Sequence, residues 1–152
     1  MDITIDEIMN LAEDLNDLLA DDGSIYLEYG DNDTDQQRQD LNNVWNLAWD
    51  RIFNDALTKT SSKFITFEDS SNDDCFGYVG INGCDSLQED DAEELIEYFE
   101  EQGYESISQV KKFFALQEEI AQELIDNIQS VITEVCDKYN EEHNATLPFG
   151  SN

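Results

Sequence analysis

The chain has 152 residues, of which 37 are acidic and 7 basic, giving a formal net charge of -30. Its 39% apolar and 11% aromatic content supplies a core for one compact domain, which excludes a disordered acidic tail. A net charge of roughly 2–8 already keeps a small domain soluble, so this excess opposes compaction and points to a use for the field.

The opening MDITIDEIMN has neither the basic region nor the apolar run of a signal peptide. Thr4-Ile5-Asp6-Glu7 reads as a capping box, and the spacing predicts a helix near 5–20. It places Ile5, Ile8, Met9, Ala12, Leu15 and Leu19 on one face, Asp6, Glu13, Asp14, Asp17 and Asp21 on the other, and stops at Gly23. A β-like run follows at Ser24–Tyr29. Thr34-Asp35-Gln36-Gln37 opens a second helix, near 35–59, burying Leu41, Val44, Trp45, Ala48, Ile52, Phe53 and Ala56. Lys63–Glu68 and Cys75–Ile81 flank the turn-rich Asp69–Asp74 and predict a hairpin. Ser86-Leu87-Gln88-Glu89 caps a third helix, near 87–102, with Leu95, Ile96 and Phe99 inward and an end at Gly103. Ser106-Ile107-Ser108-Gln109 opens a fourth, from 107 to about 142, whose wide apolar band requires burial among several elements. The order is α-β-α-β-β-α-α: an α+β domain of about four helices on a three-stranded antiparallel sheet, spanning 1–143, with a loosely held tail at 144–152.

The motifs that would carry enzyme chemistry are weak. His143 is the sole histidine and has no spaced Ser or Cys partner. Cys75, Cys84 and Cys136 lack a CxxC pair, so they read as reduced thiols and not as a zinc site. Gly77, Gly80 and Gly83 form GxxGxxG in a strand between acids, where a phosphate cradle would open a helix near a base; the pattern reads as bulge or close packing. Asp31-Asn32-Asp33-Thr34-Asp35 begins like a calcium loop but has Gln36 and Asn42 where Gly and Glu belong. The expectation is therefore no cofactor, no metal and no catalysis. No apolar run approaches the ~20 residues of a membrane span, and an anionic leaflet would repel this surface. The reading is a soluble cytoplasmic protein with no membrane partner.

What remains is the arrangement of negative charge. Met1–Gln37 holds twelve acids without a Lys or Arg, and Phe64–Val110 holds fourteen more, again without a base. This blockwise pattern, in a chain rich in Asn, Ile and Phe, argues against general salt adaptation. Asp90, Glu93, Glu94, Glu97 and Glu101 follow i, i+3, i+4, i+7, i+11 and share one helical face, with Cβ neighbours ~5–6 Å apart. That spacing is comparable to phosphates along a DNA strand. Asp6, Glu13, Asp14 and Asp17 repeat the arrangement on the first helix, and Asp69, Asp73 and Asp74 crowd the hairpin. Trp49, Tyr98 and Tyr104 are the candidate aromatic anchors that uniform charge would need for specificity.

In size and composition the chain resembles the acidic DNA-mimic inhibitors of phages and mobile elements, the antirestriction and anti-CRISPR proteins. That class shares no motif, so the resemblance transfers no residue. It implies a small non-enzymatic protein in the host cytoplasm that binds no nucleic acid itself. Its partner would be a basic nucleic-acid-binding protein: a CRISPR effector, a restriction enzyme or a nuclease. The alternative is an immunity protein that neutralises a basic nuclease toxin. A homodimer through leftover apolar surface of the fourth helix stays open.

Overall fold

The computed structural model describes residues 2–26, 35–56, 62, 64–69, 75–82, 84 and 86–144. Asp73, Asp74, Gly83, Asp85, the calcium-loop look-alike at 31–34 and the tail at 145–152 lie outside the described residues, as does the opening Thr34 of the second capping box.

The first predicted helix is two segments, α1 (Ile5–Leu11) and α2 (Glu13–Asp22), interrupted for one residue at Ala12 (φ -87°, ψ 0°). Thr4 caps α1 as expected, its Oγ1 accepting from the Glu7 N–H at 3.2 Å. Ala12 is fully buried, so the interruption lies within the core face and leaves Ile8, Leu15 and Leu19 buried on both sides of it. Strand β1 (Ser24–Tyr26) follows. Helix α3 (Asp35–Arg51) continues into a wider π segment, Ile52–Ala56. Its stripe is Leu41, Val44, Ala48 and Ile52, all fully buried. Phe53, expected inside, is 43% exposed. At ~100° per residue it sits roughly 135° from the centre of that stripe, at the point where the helix widens.

Strands β2 (Ile65–Asp69) and β3 (Cys75–Ile81) form the predicted antiparallel pair, Ile65 opposite Ile81 and Asp69 opposite Gly77. The sheet order is β1-β3-β2. Against β1 the register jumps, Ile25 facing Gly77 and Tyr26 facing Cys75, so Phe76 is an extra, bulged residue. A bulge re-aims its side chain. Phe76 turns onto the core face with Val79 and Ile81, is fully buried, and meets Trp45 and Trp49 at centroid distances of 4.9 and 5.1 Å. Gly77 accommodates this packing, since a Cβ there would stand 2.5 Å from Cζ of Phe67. A Cβ at Gly80 would strike the Cys84 carbonyl, where the chain returns to bridge Ile81. The strand glycines therefore serve close packing.

Helix α4 (Glu89–Glu101) starts two residues later than its predicted box. Leu87 is drawn into the core, its N–H donating to Asn16 Oδ1 of α2 at 2.8 Å, and Gln88 becomes the cap, donating its N–H to Asp91 Oδ2 at 3.1 Å. Gly103, at φ 73°, ends the helix. Helix α5 (Ile107–His143) is capped by Ser106 and Gln109 as predicted. Its 37 residues make a rod of about 55 Å at ~1.5 Å per residue. It packs against α1, α2, α3 and both strands of the hairpin.

Two polar seams bind this rod to its neighbours. Tyr139 donates its hydroxyl to Asp40 Oδ1 at 2.8 Å and accepts from Asn43 Nδ2 at 2.9 Å, while Gln36 Nε2 donates to Asp40 Oδ1 at 3.0 Å. Ser62 donates to buried Gln117 Oε1 at 2.7 Å and accepts the N–H groups of Phe64 and Ile65, which sets the start of β2 on α5. Removing a core aromatic costs ~3–5 kcal/mol, and stranding buried hydrogen-bond partners costs ~1–3 kcal/mol. Phe76→Ala is expected to lose the former and Tyr139→Phe the latter, each measured by urea unfolding monitored through tryptophan fluorescence.

Candidate functional site

Helices α1 and α2 carry seven carboxylates and α4 carries eight, with no Lys or Arg on any of the three. The apolar stripes explain the placement. Ile8, Leu15 and Leu19, and on α4 Ala92, Leu95 and Phe99, face inward, and at helical periodicity the acids fall outward. Asp6, Glu13, Asp14, Asp17, Asp90, Glu93, Glu94, Glu97 and Glu101 are all exposed. α1 packs on α4, and the Leu87–Asn16 bond ties the start of α4 to α2, so these acids occupy neighbouring helices.

Glu89 belongs to the surface as well. It looked like a capping residue, but that role falls to Asp91, which accepts from the Gln88 N–H and, at 3.2 Å, from Asn82 Nδ2. Glu89, Glu93, Glu97 and Glu101 then form an exposed i, i+4 row rising ~6 Å per step. The i+4 spacing was present in the sequence; the displaced box hid its first member.

Of the hairpin acids Asp69, Asp73 and Asp74, only the backbone of Asp69 lies among the described residues. Phe64 packs on Tyr98 at 5.6 Å and Asn82 reaches Asp91, so the open end of the hairpin abuts α4. Asp69 closes the far end of β2, four residues or ~13 Å from Ile65.

The three candidate anchors are half-buried. Trp49 packs on Phe53, Phe67 and Phe76, with centroids 4.9–5.2 Å away. Tyr98 lies among Phe64, Phe99 and Phe113, and Tyr104 stacks on Phe99 at 5.0 Å. Each ring gives much of its surface to the core and leaves only part for a partner.

The described bases lie elsewhere: Arg38 and Arg51 on α3, and Lys111, Lys112 and Lys138 on α5. Arg51 pairs with Glu134 at 3.2 Å. Lys111 lines a cavity of about 360 Å³ with Glu13, Asp14 and Glu118 where α2 meets α5. Partial burial, and then the nearby charge of Asp14, hold the Glu118 carboxyl above the usual range. Tyr139 is likewise raised, chiefly by burial; the Asn43 bond opposes that, and the Asp40 bond and charge add to it.

Cys84 is a half-buried free thiol, Cys136 is buried in the core, and the His143 ring stacks on Tyr139 at 4.1 Å. Among the described residues no group of three or more His, Cys, Asp or Glu is placed to hold a metal ion. Nor is any helix among them long and apolar enough to cross a membrane. The arrangement is a fixed field of carboxylates on a rigid helical support, suited to electrostatic recognition. No protein-family model, curated protein or solved structure matches the chain.

Glu118 binds its proton more readily folded than unfolded, so the native state carries more protons between the two pKa values. Stability therefore rises as pH falls from neutral through the raised folded pKa, and the gain is complete below the unfolded value. Glu118→Gln is expected to raise the melting temperature at pH 7 and to flatten its increase on mild acidification, as scanning calorimetry between pH 7 and pH 4 would record.

Proposed function

We propose that the chain is a non-enzymatic inhibitor that occupies the nucleic-acid channel of a basic host-defence complex, its carboxylates standing where phosphates would bind. One observation carries this reading: α4 places eight carboxylates on 13 residues without a base. At ~1.5 Å per residue that is one charge per ~2.4 Å of axis, between ~3.4 Å for one DNA strand and ~1.7 Å for the duplex. The neighbouring α1 and α2 add seven more. Lys and Arg lining a channel would meet a charge density they already accommodate.

The field would steer the encounter, raising the association rate at low salt. The target is a CRISPR effector, a restriction enzyme or another DNA-binding nuclease, and the contact residues are the exposed acids of α1, α2 and α4, led by the Glu89–Glu93–Glu97–Glu101 row.

The test is displacement of labelled DNA from a panel of such complexes at two salt concentrations. Salt-sensitive displacement from one of them is expected. The E93Q/E97Q/E101Q variant should compete about tenfold less well, as three surface pairs at roughly 0.5 kcal/mol each predict. Displacement from none, or equal potency of the variant, overturns the reading. Action confined to a single toxin nuclease would instead mark an immunity protein.

A further inference from the structure

Helix α3 presents a surface unlike the acidic helices. Between Asp40 and Asp50 it runs nine residues, LNNVWNLAW, without a charge, the longest such run in any helix among the described residues. Asp40 is itself buried and accepts from Tyr139 and Gln36, so it turns away from the outer face. The charges that α3 does show at its surface are two acids, Asp35 and Asp50, and two bases, Arg38 and Arg51. They cancel, on a chain of net charge -30.

The outward positions follow a heptad seam. Gln39, Asn42, Asn46, Trp49 and Phe53 recur at alternating steps of three and four residues, the spacing with which one helix meets another. Gln39, Asn42 and Asn46 are exposed, Phe53 is 43% exposed and Trp49 is half-buried. The centre of a protein interface is depleted of charge and enriched in aromatic residues, and this seam has both properties. Among the described residues α5, the other long helix, exposes one large apolar side chain, Leu116, and is the poorer seat.

We propose that two copies of this chain associate through the exposed face of α3, antiparallel about a two-fold axis level with Leu47. Asn46 of one copy then stands opposite Trp49 of the other, and Asn42 opposite Phe53. Charge selects this occupant. At physiological ionic strength the Debye length is ~8 Å, so repulsion between copies is governed by the charges near the contact, and along α3 these cancel. A two-fold contact sets a patch against itself. Each neutral seam therefore meets a neutral seam, whereas contact through α1, α2 or α4 would set carboxylates against carboxylates. A basic partner is drawn to those acidic helices instead. Residues 42–53 span ~17 Å of helix, so the interface lies at the small end of the size range and the dimer is weak and reversible. The inference is independent of the function proposed above.

The test is sedimentation equilibrium of the full chain up to ~1 mM, at low and at physiological salt, with far-UV circular dichroism as the check on folding. Association predicts a monomer–dimer equilibrium that strengthens with salt, because screening lowers the residual repulsion. Asn42→Asp combined with Asn46→Asp is expected to weaken it at least about tenfold, by setting four like charges in one seam, and Phe53→Ser to weaken it as well. Gln129→Glu combined with Ser130→Asp adds the same charge at exposed positions of α5 and is expected to leave the equilibrium unchanged. A chain that stays monomeric at every concentration and salt overturns the proposal. So does a dimer that the α3 variants leave intact, or one that the α5 variant weakens as much.

Discussion

Every layer of this fold is buried against one rod. Among the described residues, twelve of the thirty-one buried apolar side chains belong to α5, and α1, α2, α3 and the hairpin all pack on it. The rod has to hold because net charge opposes the compact state. Full burial of a large apolar side chain is worth ~1.5–3 kcal/mol, whereas a like-charge pair at i, i+4 costs only ~0.2–0.5 kcal/mol. One leucine such as Leu124 therefore offsets several repulsive contacts on α4. The acidic surface is tolerable because the core beneath it is deep and shared.

The charges are also segregated. The acidic helices α1, α2 and α4 carry no base, and the described bases sit on α3 and α5. Stability alone gives no reason for this separation, since a lysine four residues from Glu93 or Glu97 would relieve repulsion at no cost in packing. Where α2 meets α5, Glu118 is raised first by partial burial and then by the facing carboxylate of Asp14. The polar contacts that α5 needs are made instead inside the seams, by Asp40 with Tyr139 and by Ser62 with Gln117.

Much of this was legible in the sequence because it is local. Thr4 and Ser106 cap the helices they were expected to cap, and the periodicity placed the acids of α1, α2 and α4 outside. The wide band on α5 implied burial among several elements, which is what the fold contains. The misreadings came from distant contacts. The start of α4 moved because Leu87 bonds to Asn16, 71 residues away, and that shift concealed Glu89. Phe53 was lost from the core through phase and the π segment, and Phe76 gained its place through a bulge set by β1. That the start of β2 lies against α4 follows from the Phe64–Tyr98 contact, which no local pattern encodes.

The most direct measurement of whether these acids are spare for a partner is the melting temperature from about 0.01 M to 1 M NaCl. Over that range the Debye length falls from ~30 to ~3 Å. The wild type is expected to melt higher as salt is added, and E93Q/E97Q/E101Q to melt above it at low salt, the two converging at high salt. A wild type that loses stability with salt, or a variant that melts lower at low salt, would mean that the α4 carboxylates already have favourable partners within the chain.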